Sequence, residues 1–227
     1  MISNDMQAWE AYPEYRWVFN KLELALRLGY QCGPACVSIK KAGDYIVRPT
    51  YNLRGCGIGA KKLFLDPEIH AEDMILHKFI PPGYFWCEYF VGNHFSIDYK
   101  RENNVWIPFS AMIGTHENED NLVKFEVWEK IEIPNLELPD FIQKIDVEYI
   151  NVESKNDKIF EIHLRPGNKE IWNLPMGSKL HPLWEDDVEN DKKSLKFLPN
   201  TRSDQRFYAA NGYLADVRRG FYVELPK

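Results

Sequence analysis

The stretch Asp146–Asn168, DVEYINVESKNDKIFEIHLRPGN, constrains this chain more than any other. Val147–Val152 and Lys158–Arg165 are runs rich in Ile, Val, Tyr and Phe. The polar segment Glu153-Ser154-Lys155-Asn156-Asp157 lies between them, so the stretch reads as an antiparallel hairpin. Period-two alternation in the second run puts Phe160, Ile162 and Leu164 on one face. Glu161, His163 and Arg165 share the other. With Ser154 and Lys155 at the tip, Glu148 falls opposite Glu161 on that polar face. Two facing carboxylates stay ionised cheaply only with a cation between them. Mg²⁺ suits the place, since it takes oxygen ligands from one or two carboxylates plus substrate phosphates. A solvated face with its charges projecting into water accounts for the hairpin alone equally well.

The rest of the composition narrows the class. A chain of 227 residues with 44% apolar content is long enough for one large domain or two small ones, and its core is ample. A formal charge of −6 argues against general nucleic-acid binding, which needs a basic face. No apolar run approaches the roughly eighteen residues that span a membrane. The opening MISNDMQAWEAYPEYRW lacks the basic-then-apolar form of a signal peptide. Cys32, Cys36, Cys56 and Cys87 form no CxxC pair and read as reduced thiols of a cytoplasmic protein.

Taken in order, residues 1–14 are polar and aromatic. Tyr15–Gly29 reads as a helix, with Val18, Leu22, Ala25 and Leu26 on one face and Gly29 at its stop. Ala35–Ile39, Tyr45–Arg48 and Leu63–Leu65 read as strands. Before the last, Gly55, Gly57 and Gly59 alternate, which lets backbone amides approach a phosphate. A flexible hairpin loop explains the same glycines, and no Walker sequence closes them. Ile69–Phe79 has a short helical pattern, ended by Pro81-Pro82-Gly83. Tyr84–Val91 and His94–Arg101 are strands about Gly92-Asn93, followed by strands Val105–Ile113 and Lys124–Ile131 and a short helix over Pro139–Lys144. The charged run Glu185–Lys193 reads as solvated surface. Phe207–Ala210, Tyr213–Asp216 and Phe221–Leu225 are expected to be closing strands.

In combination these segments resemble the ATP-grasp superfamily over residues 15–173. The helix carrying Asn20-Lys21, with GYQCGPACV after it, is similar to the family's opening helix, whose lysine contacts ATP phosphate. YIVRP is similar to the strand that places a second phosphate-binding cation, here Arg48. TYNLRGCGIGAKKL resembles the glycine-rich loop, and CEYFVGNHFSIDY the hinge that holds adenine. Glu148, followed after thirteen positions by Glu161-Ile162-His163-Leu164-Arg165, resembles the metal-binding hairpin. The resemblance implies an α+β fold of two lobes with ATP between them, the small lobe at about 35–82 and Tyr84–Val91 as the hinge. It implies that 174–227 is an extension packed on the same domain. Lys21, Arg48, Gly55, Gly57 and Gly59 are then expected on the phosphates, Glu88, Tyr89 and Phe90 on adenine, and His94 on ribose. Glu148, Glu161 and His163 are expected on Mg²⁺, and Arg165 with Arg48 on the transferring phosphoryl group.

The sequence departs from the family pattern at four points. Arg48 stands for Lys, with a forked rather than compact charge. His94 stands for Glu at the ribose position. His163 stands for Asn, and its nitrogen shifts the preferred ion towards Mn²⁺. Few residues precede the first helix, where relatives commonly carry an acceptor-binding domain. The acceptor site is therefore expected in Leu174–Lys227, on a partner protein, or nowhere. The activity implied is an ATP-dependent ligase that activates an unidentified carboxylate as an acylphosphate for attack by an amine or other nucleophile. The alternative is a protein of the same fold without turnover, acting by binding nucleotide or a partner.

Overall fold

The computed structural model describes residues 2–53, 57, 59–68, 79–116, 122, 124–184, 195–199 and 218–226. The first helix is α1, Asp5–Ala11, capped by the Asn4 side chain on the amide of Gln7. It lies in the polar N-terminal segment, where no helix is expected. The helix expected over 15–29 is split into a 3-10 turn, Pro13–Phe19, and α2, Lys21–Arg27. Asn20 causes the break. Its backbone is extended, its side chain accepts from the amide of Glu23, and it bridges to Tyr51. A side-chain oxygen in that place satisfies an orphan donor of a new helix. As a result Lys21 is the first residue of α2, and its amide is held by the Thr50 carbonyl.

Two antiparallel sheets follow. The smaller has the order β1-β4-β2-β3, from Cys32–Pro34, Tyr84–Glu88, Gly43–Pro49 and Lys61–Leu65. The strand expected over Ala35–Ile39 is absent, and the chain pairs just before it, at Cys32–Pro34. The larger sheet has the order β11-β12-β10-β7-β6-β5-β8-β9. Its strands in sequence are β5 His94–Glu102, β6 Val105–His116, β7 Phe125–Ile131, β8 Tyr149–Lys155, β9 Lys158–His163, β10 Lys179–Trp184, β11 Lys196–Pro199 and β12 Arg218–Glu224. A short helix α3, Asp140–Gln143, precedes β8. β4 and β5 belong to different sheets, so Tyr89–Asn93 is the crossing between them. Gly92 there has φ 119, and a Cβ on it would meet the Asn156 side chain, whose oxygen accepts from the Asn93 amide. The helix expected over Ile69–Phe79 and the strands expected over Phe207–Ala210 and Tyr213–Asp216 lie wholly or almost wholly outside the described residues.

Helix α2 wedges between the sheets rather than joining the smaller one alone. Leu24 packs into the core of the large sheet with Ile97, Val152 and Ile162. Leu22 and Ala25 pack against Phe85 and Cys87 of the small sheet. Burying a Leu or Ile of this kind contributes roughly 1.5–3 kcal/mol. The wedge holds Lys21 at the mouth between the sheets. No helix among the described residues is long and apolar enough to cross a membrane. Cys32, Cys36 and Cys87 are free thiols, and Cys56 lies outside the described residues.

Candidate functional site

The register of β8 and β9 decides which carboxylates meet. The hairpin turns at Asn156-Asp157, with Asn156 at φ 49, two residues beyond the expected tip. Asn tolerates that left-handed backbone, which a two-residue hairpin loop requires. Lys155 then pairs with Lys158 and Ser154 with Ile159, but Glu153 pairs with Glu161. Phe160 is the extra residue of a β-bulge, so Phe160 and Glu161 both face the cleft while Ile159, Ile162 and Leu164 enter the core. Two expectations are thereby corrected. Phe160 leaves the apolar face assigned to it. Glu148 is not opposite Glu161: it precedes β8, is exposed, and borders a separate hollow with Tyr12 and Arg101. The carboxylate that faces Glu161 is Glu153, which the sequence places in the turn.

Cross-strand pairing extends this polar face over the large sheet. His163 pairs with Asn151, Asn151 with Asp98 and Asp98 with Ser110. One step along, Glu161 pairs with Glu153, Glu153 with Ser96 and Ser96 with Met112. Together with Ile46, Cys87 and Phe90 from the small sheet and the crossing segment, they line a cleft of about 260 Å³.

Each expected residue among the described ones has a definite place. Lys21 is buried, with Nζ 2.6 Å from Glu161 Oε2. Arg48 is buried and donates Nη2 to the carbonyl of the bulge residue Phe160 at 3.0 Å. Its Nε is buried without a hydrogen-bond partner, an orphaned donor where a phosphate is expected. Gly57 lines the cleft, and Gly59 holds φ 78 against Pro49 and Tyr84. Gly55 lies outside the described residues. Tyr89 and Phe90 line the cleft. The Glu88 side chain accepts from the amide of Gln31, 2.9 Å from its Oε1. His94 lines the cleft and sets Nε2 3.2 Å from Glu153 Oε2.

Glu153, Glu161 and His163 bring ligand atoms within 4.8 Å of one another. His163 Nε2 is 3.6 Å from an oxygen of each glutamate. Its Nδ1 is 3.0 Å from Asp5 on α1. Arg165 ion-pairs with the same carboxylate: Nη2 donates to Oδ2 at 3.1 Å, and Nε lies 2.8 Å from Oδ1. Sequence reasoning misses Asp5 because α1 reads as an unremarkable polar segment. Nothing local says that its carboxylate is buried 158 residues from its partner.

The electrostatics follow from this crowding. Burial would raise the pKa of Asp5, but Arg165 and His163 hold it far below the ordinary carboxylate range. Burial opposes charge on His163, yet Asp5 outweighs it and lifts the imidazole to about 9. Burial likewise opposes ionised Glu153, and the His163 and His94 imidazoles beside it keep it well below its usual value. Deeper in the cleft Asp98 accepts from Gly167, Trp172 and Asn151, although burial still prevails and raises its pKa. The donors suit a metal-bound polyphosphate: two carboxylates and an imidazole nitrogen stand beside a lysine and an arginine with an unspent N–H.

No family model matches the sequence, and no curated protein sequence matches it. Solved structures do. An L-amino acid ligase from Bacillus licheniformis superposes with TM-score 0.55 at 9% identity, over 97% of this chain and 72% of that one. N5-carboxyaminoimidazole synthetase from Staphylococcus aureus, complexed with ADP, gives 0.56 at 14%, over 95% and 69%. A carboxyaminoimidazole ribonucleotide synthase from Aspergillus clavatus, complexed with ATP, gives 0.50 at 10%, over 98% and 73%. The identities are too low to carry an activity across. Two antiparallel sheets with a polar cleft between them, matched along nearly the whole chain, give this protein the α+β fold of the ATP-grasp ligases.

Proposed function

We propose that the cleft binds ATP with a divalent ion and passes its terminal phosphoryl group to a carboxylate, as an ATP-dependent ligase. The observation that carries this reading is the convergence of Lys21, Arg48, Glu153, Glu161 and His163 from α2, β2, β8 and β9 on one cleft. Bound nucleotide would supply the phosphoryl group, and its metal would offset phosphate charge. Ile46, Tyr89 and Phe90 would enclose the base. Lys21 would leave Glu161 for phosphate, and Arg48 would turn its unspent Nε–H to the same charge. Phosphoryl transfer needs positioning and charge compensation more than a side-chain nucleophile. The carboxylate oxygen would attack phosphorus as ADP leaves, and an amine would then attack the acyl carbon and release phosphate. The acceptor would sit along Ser96, Asn151, Asp98 and Gly167, on the same face. The free thiols support a reducing, cytoplasmic setting.

A second reading keeps nucleotide binding and drops turnover. It is favoured by Arg165, whose guanidinium is committed to Asp5 rather than turned to a substrate. ADP release over a panel of carboxylates and amines separates the two. The ligase reading predicts sustained ADP release only when both partners are present, with at most about one equivalent per chain from the carboxylate alone, and its loss in Arg48→Ala. Nucleotide that binds but is never cleaved favours the second.

A further inference from the structure

The three donor atoms that face one another are held from behind, each by a different partner. Glu153 offers Oε1 while its Oε2 meets His94 Nε2 at 3.2 Å. Glu161 offers Oε1 while its Oε2 meets Lys21 Nζ at 2.6 Å. His163 offers Nε2 while Asp5 takes its Nδ1 at 3.0 Å. Outer partners of this kind fix the orientation of metal ligands, and a carboxylate behind the far nitrogen of an imidazole is a common form. His163 is 4% exposed, and the 3.6 Å from its Nε2 to each glutamate is longer than a hydrogen bond. Metal bonds of about 2.1 Å put neighbouring donors about 3.4 Å apart in tetrahedral geometry, close to that spacing.

We propose that Glu153, Glu161 and His163 form a preorganised three-donor site for a first-row transition ion, taken in preference to Mg²⁺ and without nucleotide, with Asp5 as its positioning residue. This rests on the reading of the cleft given above for the location of the metal, but not on ATP being bound. Mg²⁺ takes oxygen donors and gives up its water reluctantly, so an imidazole nitrogen adds little for it. Mn²⁺ and the ions after it gain from nitrogen as well as carboxylate. The nitrogen therefore sets selectivity, and Asp5 sets how firmly the nitrogen is aimed.

The test is a titration of Mn²⁺ into nucleotide-free protein. The loss of the six-line spectrum of free Mn²⁺ reads binding, with Mg²⁺ added as competitor. Wild type should bind one Mn²⁺ per chain, with Mg²⁺ at least about tenfold weaker. His163→Asn, which replaces nitrogen by an oxygen donor, should bring the two ions to near parity. Asp5→Asn should weaken Mn²⁺ by about 10–100-fold while the ligands themselves remain. Glu148→Gln should bind as wild type does. Circular dichroism on each variant separates lost folding from lost selectivity, and Glu153→Gln replaces Asp5→Asn if the latter is unfolded, with the same weakening expected. Equal affinity for the two ions in wild type, or an unchanged ratio in folded His163→Asn, overturns the proposal. ATP binding is measured separately: Mn²⁺ retention by protein that binds no ATP defeats the ligase reading alone, and ATP binding with no ion preference defeats this one alone.

Discussion

Nδ1 of His163, at the end of β9, lies 3.0 Å from Oδ2 of Asp5 in α1. Arg165, two residues on, grips the same carboxylate at 2.8 and 3.1 Å. A helix of seven residues is thus tied to the cleft by one buried carboxylate that serves two cations. Removing one member of a buried ionic group leaves the others uncompensated. Asp5→Ala is therefore expected to destabilise the protein by about 3–5 kcal/mol, read from denaturant unfolding with the metal chelated. A change within experimental scatter would show that the triad holds nothing in place.

The same pairing gives stability an alkaline limit. The folded protein raises the His163 pKa from 6.5 to about 9. A group whose pKa rises on folding stabilises fully below its unfolded value, and the gain disappears as pH climbs through the folded one. In chelator, the melting temperature should fall between about pH 6.5 and 9 and then level, with that limb flattened in His163→Asn. Metal uptake displaces the Nε2 proton, so the limb should shrink when an ion is bound. A flat wild-type profile over this window would refute the assignment.

The bulge at Phe160 yields a contrast between two glutamates. Glu153→Gln removes a carboxylate that faces Glu161, whereas Glu148→Gln alters an exposed side chain outside the cleft. Calorimetry should show metal-dependent nucleotide binding weakened about tenfold or more by the first and unchanged by the second. The opposite ranking would restore the register read from the hairpin alone.

Much of this architecture is legible in the sequence. Runs of β-branched and aromatic residues mark His94–Arg101 and the two arms of the hairpin, Tyr84–Val91 overruns its strand by three residues, and the family resemblance carried by these segments in order points to the fold. The site is less legible, for physical reasons. The pairing of Glu161 turns on a two-residue shift of the tip and one bulge, and a slip in register changes every cross-strand partner. An Asn-Asp pair between two lysines does signal the true tip, because Asn accepts positive φ. The bulge carries no such mark. Asp5 is beyond local reading altogether, since what buries it is tertiary packing with β9.

Gly59 probes the segment next to Gly57, which lines the cleft. At φ 78, with a Cβ destined to lie 2.6 Å from the Tyr84 hydroxyl and 3.1 Å from Pro49, only glycine fits without movement. Gly59→Val should cost about 1–3 kcal/mol in stability and, on the proposed reading of the cleft, weaken nucleotide by shifting the neighbouring Gly57 that lines it. Wild-type melting and affinity together would contradict the close approach.

The central claim is that Arg48 and Glu161 act on one metal–nucleotide. Calorimetric titration of ATP in the presence of Mg²⁺ or Mn²⁺, on wild type, Arg48→Ala and Glu161→Gln, tests it most directly. Removing either charge-assisted interaction should cost about 1.5–3 kcal/mol, or roughly 10–100-fold in affinity. The account predicts saturable one-to-one binding by wild type that chelator abolishes and both substitutions weaken by that factor. Folded wild-type protein that takes up no ATP at millimolar concentration, or binds it equally well with chelator and with either substitution, would contradict it.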